Sequence, residues 1–434
     1  MRLLLTFAAC AAFLGHSSGA PMAAPEAQSF WPQWRGPLAD GTAPHADPPL
    51  VWSETNHVKW KAKIPGYGTS TPIVWGDRVF VLTAIPTGKM VEEKPADAVS
   101  GEIHSFVVLC CDRKDGKVLW QKAAKEVVPH EGHHSDHGYA SASPVTDGQH
   151  LLACLGSRGL HCYDLEGNHK WSKDLGLMYT RNRFGEGASP ALYGNTVVVH
   201  WDDETDNDFV AAFDKRTGEQ LWRKERNEAT GWSTPLVVEH GGKAQVIVTA
   251  SGKIRSYALD TGAEIWSCAG LTANPIPTPV ASGDTVYAAS GYRGSAVLAI
   301  ALGRTGDLTG SDAIRWSYDK NTPYVPSPLL VDGLLYLVTV NSGVLSCFDA
   351  KTGSPHFQGE RLEGITGIYA SPVAAHGRVY VLGRNGVCLV LKQGTQLQIL
   401  ATNKLEDKTD ASLALVGEEL FVRGHQFLYC IGEK

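Results

Sequence analysis

Residues 112–120 read DRKDGKVLW, in which Asp112 closes one apolar run, Gly116 makes a turn and Trp120 opens the next run. The same arrangement returns as Asp164, Gly167 and Trp171, as Asp214, Gly218 and Trp222, and as Asp260, Gly262 and Trp266. A fifth copy, Asp349, Gly353 and Phe357, keeps the spacing with Phe in place of Trp. The glycine-to-aromatic step is four residues in all five. Asp at a strand end accepts turn N–H groups, Gly supplies positive φ, and the large aromatic wedges between neighbouring sheets.

The front halves of the units repeat as well. Pro72, Pro144, Pro190, Pro235, Pro279, Pro328 and Pro372 each follow Ser or Thr and precede an apolar strand, at intervals of 72, 46, 45, 44, 49 and 44. An eighth start, Ala411-Ser412-Leu413, lacks the Pro. About 45 residues carrying four short strands is the size of a propeller blade, which buries its faces only against neighbours.

Counting closes the ring. The last unit, 411–432, has three strands and no Trp strand, whereas Trp60 sits in a strand-like segment, 57–63, with no unit before it. Pairing the two completes an eighth blade and removes an open edge. The expected fold is all-β, an eight-bladed β-propeller of four-stranded antiparallel blades; seven is the alternative if one weak unit is not a blade. The outer-strand aromatics are then Trp60, Trp120, Trp171, Trp222, Trp266, Trp316 and Phe357. The long first interval contains a polar stretch, Ile85 to Ser105, which reads as an exposed insertion in a hairpin loop.

Composition agrees with a β protein. Of 434 residues 46 are Gly and 12 Trp, with only four Met. Lys+Arg number 39 against 45 Asp+Glu, a net charge of −6, with no basic block. That excludes nucleic acid and anionic membrane as main partners. Arg2 followed by the apolar run Leu3 to Leu14 reads as a signal peptide, residues 1–27, cleaved between Gly19 and Ala27. Cys10 lies inside that run, which disfavours lipidation there. No other run is long enough to cross a bilayer, so a soluble periplasmic or secreted chain is expected. Residues 28–56, with Trp31 and Trp34, form an N-terminal extension packed on the propeller of residues 57–434.

With these units the chain resembles the pyrroloquinoline-quinone (PQQ)-type, tryptophan-docking propeller family, over nearly residues 57–432. The superfamily it resembles holds two kinds of protein. One is BamB-like, the cofactor-free propeller subunit of bacterial outer-membrane assembly, which binds proteins. The other comprises the quinoprotein alcohol dehydrogenases, which hold PQQ and Ca²⁺ in the central funnel and carry long inserts. The resemblance leaves function open. The chain is short for the enzymes, so it implies a non-catalytic scaffold for protein or peptide partners without a cofactor. A PQQ- and Ca²⁺-dependent dehydrogenase is the alternative, and a binder of small ligands or polysaccharide at the mouth a weaker one.

Three clusters invite chemistry. Cys110-Cys111 looks like a redox pair, but small apolar residues and cysteines (Cys162, Ala212, Ala258, Cys347, Val390, Cys430) fill the Cys110 position in other units, which makes it core packing. With Cys10 set aside, eight cysteines remain, and Cys154 with Cys162, flanking one hairpin, are the favoured disulfide pair. His130 to His137 (HEGHHSDH) contains a formal H-E-x-x-H, but Pro129, Gly132 and Gly138 deny it the helix a zincin needs. The reading is a polar loop, with a looser metal site as the alternative. Asp202 to Asp208 (DDETDND) has alternating carboxylates but no EF-hand pattern, and reads as a solvated, charged turn rather than a Ca²⁺ site. The connections entering the blades bring Tyr67, His137, Tyr139, Arg181, Arg183, Trp232, Tyr324 and Tyr369 to one mouth of the channel, where aromatics and arginines serve equally as binding residues or as plugs.

Overall fold

The computed structural model describes residues 26–341 and 343–433. The apolar segment read as a signal peptide, with Cys10, lies outside the described residues save for positions 26 and 27.

Eight antiparallel sheets make the ring. Blade 1 holds Ile73–Trp75, Arg78–Met90, Glu102–Asp112 and Val118–Val127, and blade 2 Val145–Thr146, Leu151–Cys154, Leu160–Tyr163 and His169–Lys173. Blade 3 runs from Ala191–Tyr193 to Gln220–Glu225, blade 4 from Leu236–His240 to Glu264–Cys268, and blade 5 from Val280–Ser282 to Ile314–Tyr318. Blade 6 runs from Leu329–Val331 to Pro355–Arg361, and blade 7 from Val373–Ala375 to Ile399–Lys404. Blade 8 joins Ala414–Val416, Glu419–Arg423 and Phe427–Ile431 to Val58–Lys63, with Trp60 opposite Cys430. Eight blades, closed by the first strand on the last, is the arrangement read from the sequence.

The tryptophans dock from blade to blade. Trp60, Trp120, Trp171 and Trp222 lie against Gly116, Gly167, Gly218 and Gly262 of the following blade, and Trp316 against Gly353. Each indole N–H also donates to a carbonyl of that same turn: Arg113, Leu165, Lys215, Leu259 and Ala350, at 2.7–3.0 Å. A Cβ on Gly116 would fall 2.5 Å from the Trp60 ring, and its φ of +74° already demands glycine. Trp266 departs from the pattern. It is fully buried and donates to Gln245 of its own blade at 3.2 Å. Blade 5 has no Asp-to-Gly turn to receive it; instead Gly306–Asp307, between the third and fourth strands of that blade, adds a short parallel strand to blade 4 beside Trp266.

A ring of hydroxyls ties the blade starts together. The backbone N–H of Thr71 donates to Ser143 Oγ, that of Ser143 to Ser189, Ser189 to Thr234, and Thr234 to Thr278. The series continues from Thr278 to Ser327, to Ser371, and ends at Ser412. These seven bonds, 2.8–3.2 Å long, explain why Ser or Thr precedes six of the seven strand-opening Pro residues, all but Pro72, and why Ser412 is present where the Pro is not.

Three features differ from the sequence reading. Much of Ile85 to Ser105 is strand, with Ile85 paired to Ser105 and Pro86 to His104, leaving 91–101 as the loop. Cys154 and Cys162 are not bonded. They face Leu160 and Leu152 across the hairpin, a diagonal placement of about 7–8 Å between Cα atoms, too far for a disulfide. All eight described cysteines are free and buried, and burial raises the Cys154 and Cys162 thiols to about 12. Finally, the Asp202–Asp208 turn is not solvated at its base: Asp202, Asp203 and Asp208 are all buried.

The segment before the ring crosses the channel. Trp31 exchanges both backbone bonds with Val74 of blade 1, and Pro32 accepts from Thr146 of blade 2. Trp34 Nε1 then reaches Thr278 Oγ1 at the start of blade 5. Arg35, 1% exposed, donates to the carbonyls of Pro328 and Pro372 at 2.7 Å each and to that of Asp40 at 3.1 Å. The chain leaves along blade 7, where Gly41 and Ala43 bond Ala374, and passes Gly417 of blade 8. Most of these contacts lie beside the turns between first and second strands, so the segment closes that end of the channel.

Candidate functional site

In an antiparallel blade the second-to-third-strand hairpins and the connections into the next blade gather on the opposite face. There they surround a blind cavity of about 390 Å³, floored by Trp34. His137, Trp232, Tyr324 and Tyr369 of the sequence-derived mouth residues line it. The other four do not. Tyr67 sits behind the wall with its ring against His425, and Tyr139 packs between His133, His104 and Phe106. Arg181 bonds Asn274 at 2.9 Å, and Arg183 reaches out to pair with Asp97 of the blade 1 hairpin. Sequence reasoning missed Trp34, Phe184, Tyr292, Asp136 and Asp410, all of which line the cavity. Tyr292 stands on a second-to-third-strand hairpin and Trp34 on the extension, both outside the blade-entry connections that the repeat makes legible.

The charged part of the wall is a closed network. Asp410, from the connection into blade 8, accepts from Arg384 Nε at 2.6 Å and lies 2.8 Å from His425 Nε2. The Arg384 guanidinium reaches Asp136 at 3.1 Å and lies 4.1 Å over the Tyr369 ring, while the Tyr369 hydroxyl donates to Asp136 at 2.7 Å. The Tyr369 bond and then Arg384 hold Asp136 below the ordinary carboxylate range. Burial works against the Arg384 charge, but Asp410 and Asp136 more than offset it and keep the guanidinium protonated.

The His130–His137 segment is a loop, as its Pro and Gly residues imply. His130 bonds the Met178 carbonyl at 2.7 Å, and Glu131 accepts from Thr180 N–H and hydroxyl. Burial raises Glu131 to about 7. His137 is held between the Phe184 carbonyl and Ser141 Oγ, and burial lowers it to about 4, so it is neutral at pH 7. Among the described residues no group of three or more His, Cys, Asp or Glu side chains is arranged to hold a metal ion.

Three of the five carboxylates of the 202–208 hairpin, Asp202, Asp203 and Asp208, are buried at its base, while Glu204 and Asp206 are exposed. Arg226 grips Asp202 with two bonds, 2.6 and 3.0 Å, and His200 approaches at 2.8 Å. Burial would raise Asp202, but Arg226 and His200 pull it well below the ordinary carboxylate range. Asp203 accepts from Thr205 and Asn207, and Asp208 from the Asp203 and Glu228 N–H groups.

Among the described residues no helix is long and apolar enough to cross a membrane. No curated protein matches the chain. It is similar in fold to the crystal structure of BamB from Moraxella catarrhalis, with 16% identity over 81% of this chain and 99% of that one and a TM-score of 0.54. It is also similar to the computationally designed Ika8 protein, with 14% identity, 87% and 100% coverage and a TM-score of 0.58. At those identities the likeness speaks for fold alone. The family model described as outer membrane protein assembly factor BamB matches residues 104–358, more than half of the 434, and on that match, within an eight-bladed ring of tryptophan-docked blades, the chain belongs to the BamB family of PQQ-type propellers.

Proposed function

We propose that the chain is an exported, non-catalytic scaffold that receives a protein or peptide partner on the face where the blade-entry connections gather. The observation that carries the reading is the rim of that face. Phe184, Trp232, Tyr324 and Tyr369 present aromatic surface around a blind cavity whose ionised groups are paired among themselves. Large aromatics at the centre of a concave patch are the residue types that anchor partners. A general acid, base or nucleophile needs a poised, unspent group, and Asp136, Asp410 and Arg384 are committed to one another. The family model's description as an outer membrane protein assembly factor supports a protein partner, and the apolar segment Leu3 to Leu14 supports export to the periplasm.

The dehydrogenase alternative asks for Ca²⁺, which takes six to eight oxygen ligands including carboxylates. The two carboxylates of this cavity share the Arg384 guanidinium, which would lie beside such an ion. The donor set does not suit the metal, and we derive no step through a quinone.

Two measurements test the reading. Panning a random-peptide library on residues 28–434 should enrich sequences that a folded Trp232→Ala/Tyr324→Ala variant fails to recover; equal recovery on both would overturn it. Calorimetry with PQQ and millimolar Ca²⁺ should give no saturable heat, and one-to-one binding would favour the enzyme.

A further inference from the structure

We propose that the channel cavity is also a binding site for a neutral polyhydroxylated ring, the chemistry of a sugar residue. The cavity, about 390 Å³, falls in the range of small-ligand sites, and Trp34 of the segment that crosses the channel is part of its lining.

Its walls offer flat apolar faces. The Trp34 N–H is spent on Thr278, and the Trp232 N–H on the Gly185 carbonyl at 2.7 Å, which leaves the indole faces as what these residues present. Tyr292 and Tyr324 stack with centroids 5.1 Å apart at the same cavity. Such faces suit the C–H side of a sugar ring.

The hydroxyl girdle supplies donors. Ser143, Ser189, Thr234, Thr278 and Ser412 line the cavity, and each accepts a backbone N–H from the preceding blade. None of the five donates its own proton to an acceptor among the described residues, so each O–H needs water or a ligand oxygen. Asp136 and Asp410 supply acceptors on the remaining lone pairs of their carboxylates.

Charge decides the class. An anion would face both carboxylates, whereas a cation would meet Arg384 already seated over Tyr369 between them. A wholly apolar ligand would strand the hydroxyls at about 1–3 kcal/mol for each one left unpaired. A neutral ring carrying several hydroxyls satisfies donors, acceptors and aromatic faces together.

The test is titration of residues 28–434 with glucose, N-acetylglucosamine and cellobiose, followed by tryptophan fluorescence and by saturation-transfer NMR. Tetramethylammonium and benzoate serve as charged comparators. At least one sugar should bind saturably, with an affinity reduced about tenfold or more in Tyr292→Ala and in Trp232→Ala and unchanged in Leu221→Ala on the outside of blade 3. Tyr292 stands on a hairpin tip, so its removal leaves the girdle and core intact. Absence of saturable binding by all three sugars, tighter binding of either comparator, or affinity that survives both aromatic deletions would overturn the proposal. Trp232 and Tyr324 belong to both surfaces, so Tyr292→Ala separates the two proposals: it should weaken the sugar and leave peptide recovery unchanged.

Discussion

Ser371 donates its backbone N–H to the hydroxyl of Ser412 at 2.9 Å, and among the described residues no bond carries the series on from Ser412 to Thr71, whose own buried hydroxyl has no partner. The girdle is thus an open chain of seven links whose gap falls where the first and last blades meet. Hydroxyls of the same type, at equivalent places in successive blades, therefore differ in what they contribute.

Thr71→Val should be neutral or slightly stabilising, because it removes an unpaired buried hydroxyl at nearly constant volume. Thr234→Val leaves the Ser189 N–H without its acceptor and should cost about 1–3 kcal/mol. Urea unfolding of the two variants beside the parent reads the contrast, and equal costs would mean that the links are energetically idle.

Gly116→Ala combines a φ of +74° with a Cβ 2.5 Å from the Trp60 ring, whereas Gly76→Ala meets nothing within 4 Å at a φ of +56°. The second should lose about 1 kcal/mol through backbone conformation alone. The first should lose clearly more, because Trp60 and with it the closing strand must shift. Thermal melts of both variants check the order.

Glu131 carries a folded pKa of about 7, raised by burial above an unfolded value of about 4.3. The folded state then holds the proton more tightly, so its contribution is present below about pH 4.3 and is lost as pH climbs to about 7. Glu131→Gln keeps an acceptor for Thr180 without the charge. The stability of the variant relative to the parent should rise between pH 4.5 and 7.5, a difference in which the titrations of other groups cancel. A flat difference would show that the carboxyl is solvated.

The eight described thiols should be silent in the native state. All are buried, and desolvation raises the thiol pKa of each one. A thiol reagent should label none of them before unfolding, and reductant should leave the melting temperature unchanged. A drop in melting temperature with reductant would reveal a bridge.

The ring was legible because Ser or Thr precedes the first strand of every blade and, in five of the eight, Gly stands four residues before the outer-strand aromatic. Where the rule is broken the sequence misleads. Trp266 keeps the spacing from Gly262, yet its docking partner is replaced by an inserted strand some 40 residues later. Asp202 sits in a run of acids that looks solvated, and its partner Arg226 comes two strands later, just past the outermost strand of the blade. The cavity was half legible. Connections that recur at fixed places gave Trp232 and Tyr324, while Trp34 and Asp410 lie far apart in the chain and meet only through ring closure.

That closure also sets an order of events. Seven blades are each complete once their own stretch of chain exists, but Val58–Lys63 must stay unpaired until Phe427–Ile431 has been delivered. Trp34 and Arg35 likewise have no seat before blades 5, 6 and 7 are in place. If the chain crosses a membrane amino end first, its earliest segment is the last to find a home. A chain cut short before Phe427 would keep seven blades of intact sequence and expose two raw sheet edges, so the closed ring depends on the final strand.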